Sequence, residues 1–457
     1  PSSVLRWNVF YYPTVENRPI YGVFRICIAV GAEGKIVGVE KLAGEYEKIA
    51  QVQLSDLRTI KNRFLAQDFL CTRDESPQNR KMEQAELGFY ADVGDEYIQP
   101  VYVVSSNDGM TEILIDDRKI VDIGHFDCID SYKCHDLNGN YVSAGFIDIH
   151  THGGNGSDFM DSTEAAFDNV LSYHLKHGVT GVLATSLTAS YDDICSFLKT
   201  AREYMNTPHK YAQLLGVHLE GPFLSLKGCG AQNKKYLMNP QTDSYEFIIE
   251  NRDIVKNVTI APELDTDGKM TKAFTENGIL VSGGHDDGAY PEFVPAIQNG
   301  LRHLTHIYCA MSGFGTKEGV REIGLREYGL LSDSITCEMI ADNVHITPEM
   351  MRFILKCKGA DNVAVVSDSL RCAGMPRDGR LYPMGPEKDK SSLMVKVSGG
   401  IAVLADGSKF AGSITSVHQM VKNLINAGVP IAEAFKKATS VPAVFADNQS
   451  CRQKCYD

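Results

Sequence analysis

The sequence has no surplus of basic residues. Lys and Arg number 45 against 58 Asp and Glu, a net charge of −13. Nucleic-acid binders carry the opposite balance or a dense basic stripe. Lys227, Lys234 and Lys235 come nearest and are too sparse, so no nucleic-acid partner is expected. No stretch reaches the ~18 uncharged apolar residues of a membrane helix, so no membrane partner is expected either. The opening PSSVLRWNVF has no charged segment leading into an apolar core, and no secretory signal is visible. None of the 12 cysteines stands in a CxxC pair. Their scatter suits reduced thiols in a cytoplasmic protein, not a disulfide framework. Only Cys451 and Cys455, in a polar tail, stand apart.

Three motifs are also missing. No repeat recurs at the period of about 20–50 residues that marks solenoids. GGNG at 153–156 lacks the GxGxxG spacing of a dinucleotide-binding turn. Gly412-Ser413 lacks the flanks of a GxSxG nucleophile elbow.

What is present is an ordinary globular composition, 43% hydrophobic and 23% charged over 457 residues. From 144 to 370, short β-rich runs alternate with longer helical ones. The expected strands are 145–149, 179–185, 214–219, 258–262, 279–284, 301–306, 335–341 and 362–368. Helices are expected at 162–177, 190–205, 243–253, 268–277, 290–299, 318–331 and 348–358. Ser162 is the expected N-cap of the first, and Thr347-Pro348 opens the last with a cap and Pro at N1. Eight such units fit an α/β chain closed into a (β/α)8 barrel, a TIM-like metal-dependent hydrolase fold. The expected barrel is 144–392 plus 413–447. A smaller β-sandwich-like domain takes 106–143 plus 393–412, with hairpins at 112–124 and 393–407. An extra N-terminal region, 1–105, reads as mixed α/β: strands around 19–30 and 35–42, a helix at 55–70, and a polar surface linker at 72–86. No role for it emerges.

The chemistry-bearing residues fall at the strand ends. His150-Thr151-His152 closes the first strand, and residues two apart on a strand face the same way. Glu220 ends the third, His285 the fifth, His306 the sixth and Asp368 the eighth. Each alone has an ordinary reading: a core histidine, a loop carboxylate, or a helix N-cap for Asp368. Together they converge at the C-terminal mouth, where barrel sites lie. Imidazoles with carboxylates suit Zn²⁺ or a similar divalent ion. Such an ion makes water nucleophilic near neutral pH, and a neighbouring carboxylate can pass its proton to a leaving amine. The expected chemistry is amide hydrolysis without a covalent enzyme intermediate.

Seven segments in order, GFIDIHTHG, VHLEGPF, SGGHDD, LTHIYCAM, ADNVHI, VVSD and AGSITSV, resemble the amidohydrolase superfamily. Within it they are most similar to the N-acetylglucosamine-6-phosphate deacetylase family, over about residues 112–447. The resemblance implies hydrolysis of a small-molecule sugar phosphate, N-acetyl-D-glucosamine 6-phosphate, to glucosamine 6-phosphate and acetate. It implies a homodimer. It implies Glu220, His285 and His306 as principal metal ligands, with His150 and His152 as the first-strand pair that allows one or two ions, zinc by type. It implies Asp368 as general base and acid, and His345, Cys309, Ala310, Gln232 and Ile414 as substrate contacts. Cys309 stands where the family has Asn. Lys317 aligns with an arginine that clamps phosphate across the family's dimer interface, and Arg321, one helical turn on, is the other candidate. After the ATSVPA-like segment at 439–444 the family adds strands that finish its small domain. This sequence continues instead as a polar tail, leaving the N-terminal region to complete that domain. Two other functions stay open: another N-acyl or cyclic amide hydrolase, or an inactive sugar-phosphate-binding barrel.

Overall fold

Short apolar strands between capped helices must cover both their faces, and a closed parallel sheet wrapped in helices does so. The computed structural model describes residues 143–446 and, before them, strands between Trp7 and Gly124. The chain divides into two compact units, Pro1–Val142 and Ser143–Asp457.

The second unit is the barrel. Its strands are β1 (Phe146–Thr151), β2 (Val179–Ser186), β3 (Gln213–Glu220) and β4 (Val255–Ile260). Then come β5 (Leu280–Gly283), β6 (His303–Leu304), β7 (Thr336–Met339) and β8 (Val363–Val365). They lie side by side in sequence order, all parallel, and each overlaps one expected run. The seam between β8 and β1 is bridged by single hydrogen bonds. The buried Asp148 carboxylate accepts from the backbone N–H groups of His150 (3.3 Å) and Ser367 (3.2 Å). The Asp368 N–H donates to the His150 carbonyl at 2.9 Å. At the opposite end, Val365 and Ile147 donate to the carbonyls of Lys437 and Ala438, both at 2.8 Å.

Outside the strands lie α1 (Glu164–Lys176), α2 (Tyr191–Met205), α3 (Glu246–Glu250), α4 (Lys269–Glu276) and α5 (Tyr290–Gln298). They are followed by α6 (Leu325–Leu331), α7 (Pro348–Lys358), α8 (Val417–Asn426), α9 (Ile431–Lys436) and α10 (Ser440–Ala446). Thr163, one residue later than expected, caps α1 by accepting from Ala166 N–H, while Ser162 closes the preceding turn in a left-handed conformation. α7 begins as expected, with Thr347 as cap and Pro348 in the first turn.

The helix expected over 318–331 forms only from Leu325. Before it, Gly315–Lys317 and Val320–Glu322 pair as an antiparallel hairpin. Glu318 and Gly319 both have positive φ, 50° and 83°, as a tight two-residue hairpin turn requires.

A four-stranded antiparallel sheet is built from Leu381–Pro383, Met394–Ser398, Ile401–Leu404 and Phe410–Gly412. Its hairpin turns at Gly399-Gly400, as expected. All four strands come from 381–412. The hairpin expected near 112–124 forms, Glu112–Asp116 with Lys119–Gly124, inside the first unit.

That unit also holds a three-stranded sheet of Trp7–Tyr11, Arg25–Val30 and Ile36–Leu42. A four-stranded sheet joins Thr14–Val15, Arg18–Gly22, Met82–Ala91 and Gln99–Ser106. The strands expected in 19–42 are present. Residues 82–86 are not linker: they start the strand Met82–Ala91, whose ladder partner satisfies its backbone despite the polar composition. The helix expected at 55–70, and Cys451 with Cys455, lie outside the described residues.

Candidate metal centre and active-site cavity

The parallel barrel brings residues far apart in sequence to one end. Glu220 is the last residue of β3, and its N–H is held by Ser186 Oγ at 3.2 Å. His150 lies near the end of β1 and His152 just beyond it. His285 and His306 each sit two residues past β5 and β6, and Asp368 three past β8. All six are buried. His285, His306 and Asp368 have positive φ of 50°, 26° and 44°. Side chains rarely adopt this conformation, and such strain concentrates at functional sites.

Glu220 Oε1 lies 3.0 Å from both His285 Nε2 and His306 Nε2, and those two nitrogens are 3.1 Å apart. Three ligand atoms bound at about 2.0–2.2 Å in a tetrahedron sit roughly 3.3 Å from one another, so the triangle fits one ion. A second triad of His150, His152 and Glu220 adjoins it. His150 Nε2 is 3.4 Å from Glu220 Oε1, and His152 Nε2 is 3.5 Å from Oε2. Asp368 Oδ1 completes the ring, 3.2 Å from His152 Nε2 and 3.8 Å from His150 Nε2.

The charges also call for a cation. Glu220, Glu338 and Asp368 are buried together, and among the described residues their only ionic partners are histidines. Buried carboxylates persist only when paired or bound to metal. Burial would raise the Glu220 pKa, but His285 and His150 beside it hold it well below the usual range. Burial would likewise lower the His150 pKa, and the Glu338 and Glu220 carboxylates overcome that and raise it well above normal. The His150 Nε2 atom is buried without a hydrogen-bond partner. A divalent ion would take the place of the proton that His150 otherwise holds, giving the carboxylates their counter-charge and the imidazole nitrogen its partner. The residues therefore fit a divalent metal ion.

The mouth opens into a cavity of about 740 Å³. Asp368, Gln232, Cys309, Ala310 and His345 line it with the metal-side residues. Gln232 donates to Glu220 Oε2 and accepts from Thr188 N–H at 2.8 Å, so its amide is held at both ends. The Asp342 carboxylate takes His345 Nδ1 at 2.7 Å, which leaves Nε2 for the cavity. Burial, with Asp368 and Asp342 nearby, pushes the Cys309 thiol far up, so it is a neutral group and not a nucleophile.

The amidohydrolase family matches residues 141–446, which span the whole barrel. The chain belongs to the amidohydrolase family. Its relatives include the N-acetylglucosamine-6-phosphate deacetylase of Haemophilus influenzae, 34% identical over 316 residues, covering 68% of this chain and 78% of that one. That of Bacillus subtilis is 34% identical over 284 residues, covering 61% and 68%. Among solved structures, the N-acetylglucosamine-6-phosphate deacetylase of Pasteurella multocida matches with a TM-score of 0.66 at 28% identity, covering 74% of this chain and 85% of that one. A deacetylase from Mycobacterium smegmatis, in complex with N-acetyl-D-glucosamine-6-phosphate, matches with a TM-score of 0.66 at 26% identity, covering 75% and 87%.

Three expected contacts do not line the cavity of their own chain. Ile414 lines a separate cavity of about 320 Å³. Lys317 and Arg321 lie on the Gly315–Glu322 hairpin, so the helical turn expected between them does not exist. Both are exposed, neither lines the cavity of its own chain, and Lys317 pairs with Glu292.

Other site residues of the amidohydrolase went unassigned in the sequence. Glu338 of β7 accepts from His150 Nδ1 at 2.7 Å and from the His306 N–H at 3.1 Å. His303 Nε2 approaches its other oxygen at 3.6 Å. His218 is buried edge-on to the His150 ring, with Nε2 at 2.7 Å from Thr259 Oγ1. Signals existed: Glu338 is the one charge in the apolar run ITCEMIA, and His218 shares a strand face with Glu220 two residues on.

Proposed function

We propose that this chain removes the acetyl group of N-acetyl-D-glucosamine 6-phosphate, releasing glucosamine 6-phosphate and acetate. The observation that carries the reading is the Glu220, His285 and His306 triad at the mouth of a barrel whose relatives are sugar-phosphate deacetylases. Glu220, His285 and His306 would hold a divalent ion, zinc by their donor types, and His150 and His152 with Glu220 would hold a second. When bound, the ion supplies Lewis acidity to the amide carbonyl and to water.

The protein's own groups do the rest. Asp368 takes the proton of the attacking water on its carboxylate and returns it to the leaving nitrogen. Burial alone would raise the Asp368 pKa, but the hydrogen bond from His152 and the charges of His150 and His306 hold it below the usual range. It is therefore ionised and ready as a base at neutral pH. His345, its Nδ1 fixed by Asp342, offers Nε2 to the sugar or to the carbonyl oxygen. Gln232 fixes the carboxylate of Glu220. Cys309 and Ala310 border the substrate from the loop after β6.

The reading extends to a homodimer in the cytoplasm, which sedimentation and fractionation would test. Among the described residues no helix is long and apolar enough to cross a membrane.

Acetate release from the 6-phosphorylated sugar, compared with unphosphorylated N-acetylglucosamine, is the test. The reading expects strong preference for the phosphorylated sugar. Equal turnover would favour a general N-acyl hydrolase, and no turnover of either would favour an inactive binding barrel.

A further inference from the structure

The His150–His152 pair and Asp368 stand at the ends of β1 and β8, whose shared seam is bridged by single hydrogen bonds. Asp368 also keeps a positive φ, 44°, which a side chain holds only where its surroundings fix it. Part of what fixes it lies outside the barrel. The carbonyl of the next residue, Ser369, accepts from the N–H groups of His152 and Gly153, both at 2.9 Å. Thr151 lies between the two histidines, so its side chain points to the opposite face of the strand. There its Oγ1 is 2.8 Å from Ser369 Oγ and 3.0 Å from Nε2 of His174, on α1. Ser369 Oγ is in turn 2.7 Å from the Gly153 carbonyl oxygen.

Proton counting gives these contacts one direction. A carbonyl only accepts, so the single O–H of Ser369 goes to Gly153. The Thr151 O–H must then donate to Ser369 Oγ, and Thr151 Oγ1 must accept from His174 Nε2–H. Burial lowers the His174 pKa to about 3, so its ring is neutral and carries the one N–H that this needs. The three residues are at most 2% exposed, and none lines the cavity. A buried polar network with every member satisfied rigidifies its surroundings and specifies one geometry.

We propose that His174, Thr151 and Ser369 form a positioning chain that crosses the seam and sets the His150–His152 pair against Asp368. The proposal rests on the hydrolase reading above for the roles of those three residues. The chain touches neither substrate nor ion; it acts through the backbone that carries them.

The test compares zinc-loaded variants well below their thermal midpoints. Thr151→Val keeps the shape and removes the hydroxyl. It should lower kcat for the 6-phosphorylated sugar about tenfold or more, with KM nearly kept, because a small misplacement of reacting groups is costly. Zinc affinity, read by competition against a coloured chelator, should weaken roughly tenfold. Ser369→Ala should act in the same way, and the double variant should lose about as much as the worse single one. His174→Leu should lower kcat as well, and His174→Gln, whose amide can place an N–H near the Nε2 position, should recover part of the loss. A Thr151→Val protein with a lowered midpoint but unchanged kcat and zinc affinity would overturn the proposal, reducing the chain to packing. Losses that multiply in the double variant, or equal losses in His174→Leu and His174→Gln, would overturn it too. If the wild-type chain releases no acetate, the deacetylase reading fails, and the zinc titrations still decide for or against the chain.

Discussion

Asp368 and Glu338 are both buried carboxylates beside His150, yet they are placed for different work. Asp368 lines the cavity and can meet a substrate. Asp368→Asn should keep the fold and bound metal and lower kcat on the order of 10²-fold or more, as expected for a general base. Steady-state kinetics beside metal analysis of the same preparation checks this, and near-normal turnover would reject the role. Glu338 does not line the cavity; it holds His150 Nδ1 at 2.7 Å. A carboxylate behind a ligating imidazole fixes its tautomer and aims the other nitrogen. Glu338→Gln should therefore weaken metal binding roughly 10–100-fold. Competitive titration against a coloured chelator reads that directly. An unchanged affinity would reduce Glu338 to a core partner.

Elements explain why these residues meet. Arg371 shows how the loops over the mouth are held. Its fork takes both oxygens of Asp161, at 2.6 and 2.7 Å, and the carbonyl of Gly385 at 2.8 Å. It joins the turn after β1 to the loop after β8. Its side chain is only 4% exposed. Arg371→Leu should cost about 3–5 kcal/mol, because Asp161 is left as a poorly solvated unpaired charge. A lowered thermal midpoint measures the loss. An unchanged midpoint would mean that these loops are held by other contacts.

The strands were legible because runs such as VTGVLAT and NVAVVSD are buried on both faces and bounded by polar caps. The hairpin at 315–322 was not. Lys317, Glu318, Arg321 and Glu322 are good helix formers by propensity, and only Gly319 marked the turn. The six residues at the mouth were legible because each ends a strand. Glu338 was not, because a residue inside a strand reveals its neighbours only once the barrel closes.

For the molecule as a whole, net acidity contrasts with a substrate that the reading makes anionic. Local binding groups must then work against the chain's charge of −13, whose long-range field added salt would screen. Stability also carries a pH signature. Burial pushes the Glu263 carboxyl from 4.5 up to about 7, with Asp286 adding to the rise. The folded state then keeps a proton that the unfolded state gives up. The stability tied to it is full below pH 4.5 and is lost as pH rises to about 7. Glu263→Gln, which cannot ionise, should be progressively more stable than wild type across that window. Thermal midpoints of the two proteins that ran parallel from pH 4.5 to 7 would show that folding does not raise the Glu263 pKa.

The barrel gathers Glu220, His285 and His306 with their ligand atoms within 4.8 Å of one another, and the proposed hydrolysis needs the ion they would hold. The most direct check is a chelator titration in which bound metal and acetate release are measured on the same sample. Both should fall together and return together when a divalent ion is added back. Full acetate release from a metal-free chain would contradict the account.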